Sequence, residues 1–198
     1  MDARIGVLAV QGAFATHRDA LDDLGVDVVL VRRPEHLVDL DGLVFPGGES
    51  TTMSNLVQSS GLHDPLREAV ATGMPMFGTC AGMILLAERI EDGRVDQIHL
   101  DAIPMTVRRN AYGRQIDSFE TDLDVVGLDG PFHTVFIRAP LVVEIAPDVE
   151  VLARHHGEPV LIRHGARLAS SFHPELTADR RIHRLFLEQV LDSTHITR

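Results

Sequence analysis

One thiol stands apart among the 198 residues. Cys80 is the sole cysteine, and it lies in Gly78-Thr79-Cys80-Ala81-Gly82, directly after an apolar stretch. A thiol kept for packing needs no flanking glycines. A G-x-C-x-G turn between a strand and a helix presents a nucleophile, because the glycines allow a sharp turn and close approach of neighbouring backbone. The start of the following helix favours negative charge. A thiol nucleophile needs a base, and the base needs an orienting partner. Of the 11 histidines, His173 has a distinctive setting, Ser-Phe-His-Pro-Glu-Leu. Pro174 biases His173 toward extended backbone, where residues two apart point the same way. Glu175 would then accept the imidazole N–H and support the imidazolium formed when His173 takes the thiol proton. A third element is Gly47-Gly48 in Phe-Pro-Gly-Gly-Glu. Backbone N–H groups of consecutive glycines bind oxyanions, so Gly48 and the N–H of Ala81 are the expected oxyanion hole.

The surrounding pattern can position these groups. Residues 4–10 form an almost wholly apolar run, as in a strand buried on both faces of a parallel sheet. The spacing predicts further strands at 26–31, 42–48 and 75–79, and helices at 14–25, 50–61, 63–73 and 81–90, with Ser50 or Thr51 capping the second. Alternating strand and helix imply a parallel sheet covered on both faces, which binds ligands at its carboxyl edge. After residue 99 the chain changes to strand-like pieces at 99–123, 133–140, 149–155, 158–165 and 166–175. A helix over 180–191 follows. The expected class is α/β, a mostly parallel sheet flanked by helices with additional β structure in the second half, and 1–198 reads as one domain.

Composition narrows the function. Lys plus Arg is 18 against 29 Asp plus Glu, a net charge of -11, which argues against nucleic acid or an anionic membrane as partner. A lone cysteine cannot form an intrachain disulfide. The N-terminal apolar run is too short for a signal-peptide core or a membrane span, so a cytoplasmic protein is expected. There is no clustered Cys/His spacing of the kind that holds a metal, and thiol chemistry needs neither metal nor cofactor.

Read in order, P-G-G, G-x-C-x-G and H-P-E resemble the triad-type class I glutamine amidotransferases. Longer blocks, GVLAVQGAF, PGGESTTM, MFGTCAGMILLA, RNAYGRQIDSFE, VFIRAP and SFHPELT, span nearly the whole chain. Together they resemble the glutaminase subunits of pyridoxal 5'-phosphate synthases. The resemblance implies a flavodoxin-like glutaminase fold, hydrolysis of L-glutamine to L-glutamate and ammonia, and delivery of ammonia to a separate (βα)8-barrel synthase subunit. It also implies a triad of Cys80, His173 and Glu175, and glutamine held by Gly47, Gly48, Glu49, Arg109, Ile137 and Arg138. A stand-alone cysteine hydrolase of similar fold, a non-catalytic scaffold, and a glutaminase serving another pathway are the alternatives.

Overall fold

The structure, a computed structural model, describes residues 3–109 and 118–196. Its first part alternates as expected: β1 (Arg4–Leu8), α1 (Phe14–Asp22), β2 (Asp27–Val31), β3 (Gly42–Phe45), α2 (Ser50–Ser59), α3 (His63–Ala71), β4 (Met76–Thr79) and α4 (Ala81–Leu86). Then follow β5 (Ala87–Glu91), β6 (Ile103–Arg108), β7 (Ser118–Leu123), β8 (Phe132–Ile137), β9 (Leu141–Ile145), β10 (Glu150–His155), β11 (Glu158–His164) and β12 (Arg167–Ser170). The helix α5 (Arg181–Ile196) comes last.

A seven-stranded sheet runs β10-β11-β12-β4-β3-β1-β2. The five strands β2, β1, β3, β4 and β12 are mutually parallel, and β11 and β10 extend them antiparallel. With β12 as the fifth strand this is the flavodoxin-like order 2-1-3-4-5. Alternate strand residues feed two separate cores. Leu8, Leu43, Phe45 and Met76 pack with Met53 and Val57 of α2, Leu66 of α3 and Ile84 of α4. Ile5, Val7, Val44 and Phe77 pack with Leu21 of α1 and with Ile182, Phe186 and Val190 of α5. Phe45 and Phe77 are fully buried, and side chains of this kind contribute roughly 1.5–3 kcal/mol each on burial. The strands that lead to Gly47, Cys80 and His173 are thus clamped from both faces. No helix among the described residues is long and apolar enough to cross a membrane.

Several elements differ from expectation. The helix expected over 81–90 stops at Leu86, and Ala87 turns extended to open β5, which pairs in parallel with β6. The carbonyls of Leu85 and Leu86 accept from the N–H groups of Leu100 and Ala102, so the returning chain closes the helix end. The piece at 99–123 divides into β6 and β7; residues 110–117, which hold most of the RNAYGRQ block, lie outside the described residues. The strand β9 has no counterpart among the expected pieces, and it pairs antiparallel with β6. Of its side chains only that of Val142 is buried, which weakens a hydrophobic signature. The α2 cap is Glu49, not Ser50 or Thr51: its carboxylate accepts from the N–H of Thr51 at 2.9 Å and of Thr52 at 2.7 Å.

Candidate active site

Three motifs separated in sequence converge because β3, β4 and β12 are adjacent parallel strands. Phe45 pairs with Gly78, and Thr79 pairs with Ser170. Gly47-Gly48, Cys80 and His173 therefore leave the same carboxyl edge side by side. The N–H of Cys80 donates to the Ser170 carbonyl at 2.8 Å, so the elbow is tied directly to the strand that leads to His173.

Cys80 has φ 51° and ψ -105°, a conformation that costs a non-glycine residue about 1–3 kcal/mol and persists only where its surroundings enforce it. They do so here. A Cβ on Gly82 would come within 2.0 Å of the Phe45 carbonyl oxygen, and one on Gly78 within 2.6 Å of the Gly82 backbone. The close-packed turn lifts Cys80 off the strand, and its Sγ lies 3.8 Å from the Ile137 carbonyl oxygen. Ala81 opens α4, where backbone N–H groups lack intrahelical acceptors.

His173 and Glu175 are paired, with Nδ1 2.7 Å from Oε1. The route to that contact differs from the expected extended segment. Glu175 lies in a short 3-10 turn, Pro174–Leu176, with His173 at its N-terminal boundary. The N–H of His173 donates to the Val135 carbonyl of β8 at 2.9 Å, which fixes the ring's origin. Nε2 of His173 is buried and has no hydrogen-bond partner among the described residues. Burial alone would lower the pKa of His173, but the interactions with Cys80 and Glu175 outweigh it and raise it to about 10. Burial also works against the Glu175 carboxylate. The charge His17 carries when it is protonated, and the hydrogen bond and charge of His173, overcome it and hold its pKa below the usual carboxylate range. His17 is itself pushed down by burial, so at neutral pH the balancing charge sits on His173.

A cavity of about 300 Å³ opens over these groups. Its lining includes Cys80, His173, Gly47, Gly48, Glu49, Arg109, Ile137 and Arg138, each singled out from sequence. Glu175 and Ala81 are not part of the lining: Glu175 is buried behind His173, and Ala81 is buried beside Cys80. Sequence reasoning missed Ala13, Ile84 and Leu176, which supply apolar wall. These carry no signal of their own, since each is an ordinary apolar residue. It also missed Gln11, whose Oε1 accepts from the N–H of Glu49 at 3.2 Å and so braces the glycine pair.

The two arginines differ in their engagement. Arg109 donates to Gln97 Oε1 at 2.6 Å and to Thr51 Oγ1 at 2.8 Å, and lies 3.5 Å from Glu49. Glu49 is occupied in turn by the α2 cap; burial is outweighed by its hydrogen bonds from Thr52 and Thr51, and its pKa falls to about 2. Arg138 is exposed, adopts φ 46°, and lines the cavity. A thiol, an ionised His–Glu pair, a pair of glycines and a guanidinium around one cavity are the groups that acyl transfer from a small carboxylate-bearing substrate would use.

A solved glutamine amidotransferase shares this architecture. A crystal structure of a glutamine amidotransferase superposes with a TM-score of 0.88 at 52% identity, covering 94% of this chain and 98% of the other. A glutamine amidotransferase from Thermotoga maritima shares the fold at a TM-score of 0.59 and 13% identity, covering 100% of this chain and 86% of that one. The chain belongs to the SNO glutamine amidotransferase family, which it matches over residues 7–192. It is 57% identical over 190 residues to the pyridoxal 5'-phosphate synthase subunit PdxT of Mycobacteroides abscessus, covering 96% of this chain and 98% of that protein. The protein of the same name from Mycolicibacterium vanbaalenii is 56% identical over 187 residues, covering 93% and 96% respectively.

Proposed function

We propose that this chain is the glutaminase subunit of a pyridoxal 5'-phosphate synthase, hydrolysing L-glutamine to L-glutamate and ammonia through Cys80, His173 and Glu175. The observation that carries the triad assignment is the convergence of the strained Cys80 elbow, the His173–Glu175 pair and Gly47-Gly48 around one cavity. Family membership and the PdxT relatives support the substrate and the pathway.

Cys80 as thiolate attacks the side-chain amide carbon of glutamine. Negative charge develops on the amide oxygen and is received by the N–H groups of Gly48 and Ala81, the oxyanion hole of this reading. His173 donates its proton to the departing nitrogen, ammonia leaves, and a γ-glutamyl thioester remains. His173, now neutral, takes a proton from water, the hydroxide cleaves the thioester, and glutamate departs. Glu175 keeps the imidazole oriented and supports its positive form throughout. The exposed Arg138 guanidinium is the candidate partner for the substrate α-carboxylate, while Arg109, already bonded to Gln97 and Thr51, shapes the wall beside it. Ammonia passes to a synthase subunit of the (βα)8-barrel type. We take residues 1–198 to act as one glutaminase domain in the cytoplasm.

The decisive experiment measures glutamate release with and without the synthase subunit, for the wild type and Cys80→Ala. The wild type should be active in the complex, and the variant should lose several orders of magnitude in kcat, as loss of a triad nucleophile does. Near-normal turnover by Cys80→Ala would refute the triad.

A further inference from the structure

The second oxygen of Glu175 is buried and has no hydrogen-bond partner among the described residues. The group beside it is His17 of α1, whose Nε2 lies 3.4 Å from Oε2. The same Nε2 is 3.0 Å from Oγ1 of Thr79, the residue preceding Cys80. On the opposite side of the ring, Nδ1 is 3.0 Å from Nε2 of His183 in α5. His17, Thr79 and His183 are all fully buried. A hydrophobic helix face explains why an apolar side chain would stand at position 17. It does not explain an imidazole lodged between the triad carboxylate and the nucleophile elbow.

The contacts around His17 favour one arrangement of protons. Suppose His17 carried its proton on Nδ1 and donated it to His183. Then neutral His183 would need its own proton on Nδ1, which has no partner among the described residues. A buried N–H would be orphaned, and the lone pair of His17 Nε2 would face the carboxylate. Both are unfavourable. Suppose instead that His17 were doubly protonated. It would then need charge compensation that Glu175 already gives to His173, at a site where desolvation opposes a second cation. With the proton on Nε2, His17 donates toward Thr79 and Glu175 and accepts from Nε2–H of His183. The Nδ1 lone pair of His183 and the Thr79 O–H are then without a partner among the described residues, a smaller cost than leaving a buried carboxylate oxygen unpaired against a lone pair. The lowered pKa values of both imidazoles, caused chiefly by burial, agree with a neutral pair.

We infer that His17 is a positioning residue for the triad: its Nε2–H, oriented by His183, holds the outer oxygen of Glu175 and the Thr79 hydroxyl in register, so that carboxylate and nucleophile elbow keep a common frame. This rests on the triad proposed above. His17 touches no substrate and acts only through Glu175 and Thr79. Its neutrality also matters, because a cation at this point would compete with His173 for the Glu175 charge and weaken the base.

The test uses the assembled complex and three variants. His17→Leu preserves volume and apolar packing but removes the donor. His17→Gln restores an N–H at similar reach and an acceptor for His183. His17→Leu should lower kcat by about 10²-fold, the usual effect of a small misplacement of catalytic groups, with KM for glutamine little changed. His17→Gln should recover at least about tenfold of that loss. Nitrogen-15 NMR of histidine-labelled wild-type protein should find His17 neutral, with its proton on Nε2. This readout does not depend on how either variant folds. Wild-type kcat in His17→Leu, equal losses in both variants, or a proton on Nδ1 would each overturn the inference. Cys80→Ala, measured alongside, separates the causes: if it stays active the triad itself is wrong, whereas an inactive Cys80→Ala beside a fully active His17→Leu refutes only the role of His17.

Discussion

Gly47→Ala isolates the geometry of the site with a single methyl group. A Cβ built at Gly47 would lie 2.3 Å from Cε1 and 2.9 Å from Nδ1 of His173, and 3.4 Å from Cβ of Cys80. Ordinary carbon contacts are about 3.5–4.0 Å, so something must yield by roughly 1 Å. The Gly47 carbonyl accepts from the N–H of Ala13 at 2.9 Å, and the N–H of His173 donates to Val135 at 2.9 Å, so both backbones are held. The imidazole is the softer element, and moving it away from Gly47 misaligns it with Cys80 or breaks the 2.7 Å contact with Glu175. Misplacement on this scale costs about 10²-fold in rate, while overpacking costs about 1–3 kcal/mol in stability. Glutamate release should be measured in the complex at saturating glutamine, with complex formation followed separately by gel filtration. The expected result is kcat reduced by about 10²-fold in a complex that still assembles. A kcat within twofold of wild type would show that His173 tolerates the methyl group, and that the packing against Gly47 does not set its position.

Two further outcomes follow from the electrostatics. Glu49→Ala removes the α2 cap and should cost about 1 kcal/mol, lowering Tm by about 2–4 °C in a chain of this size; an unchanged Tm in thermal denaturation would mean the capping bonds contribute nothing. His173 has its pKa raised from 6.5 to about 10 in the fold, so its stabilising contribution is complete below pH 6.5 and is lost as pH rises toward about 10. Glu175 is lowered from 4.5, so its contribution is present above that pH and is lost as pH falls through the lower folded value. Urea midpoints measured from pH 4 to 10 should therefore decline on the alkaline side of about pH 6.5, and the decline should be shallower in His173→Asn. Equal slopes in the two proteins would contradict the His173 assignment.

Local chemistry made much of the site readable in the linear chain. Cys80 between glycines, His173 before Pro174, and Gly47-Gly48 after a strand each carry a local signature, because elbows and anion cradles impose backbone demands that only certain residues meet. The buried strands and the amphipathic helices around them were legible for the same reason: their periodicity is set within a few residues. Other features depended on contacts distant in sequence. The end of α4 at Leu86 is decided by backbone groups of Leu100 and Ala102, and nothing in Ala81–Leu86 encodes their arrival. The edge-like β9 has too little buried surface to mark itself. Glu49 reads as a substrate contact in the motif, yet its carboxylate also caps α2, a role set by the backbone conformation of one turn. Above all, β12 lies beside β4, and only that pairing brings His173 to Cys80. His17 shows the limit most plainly. Along the chain it is one more member of a helical stripe with Phe14, Leu21 and Leu24; in the fold it sits against Thr79, His183 and Glu175. Helical periodicity specifies which face of α1 turns inward, but the packing of α1 and α5 against the sheet determines which polar atoms meet that face.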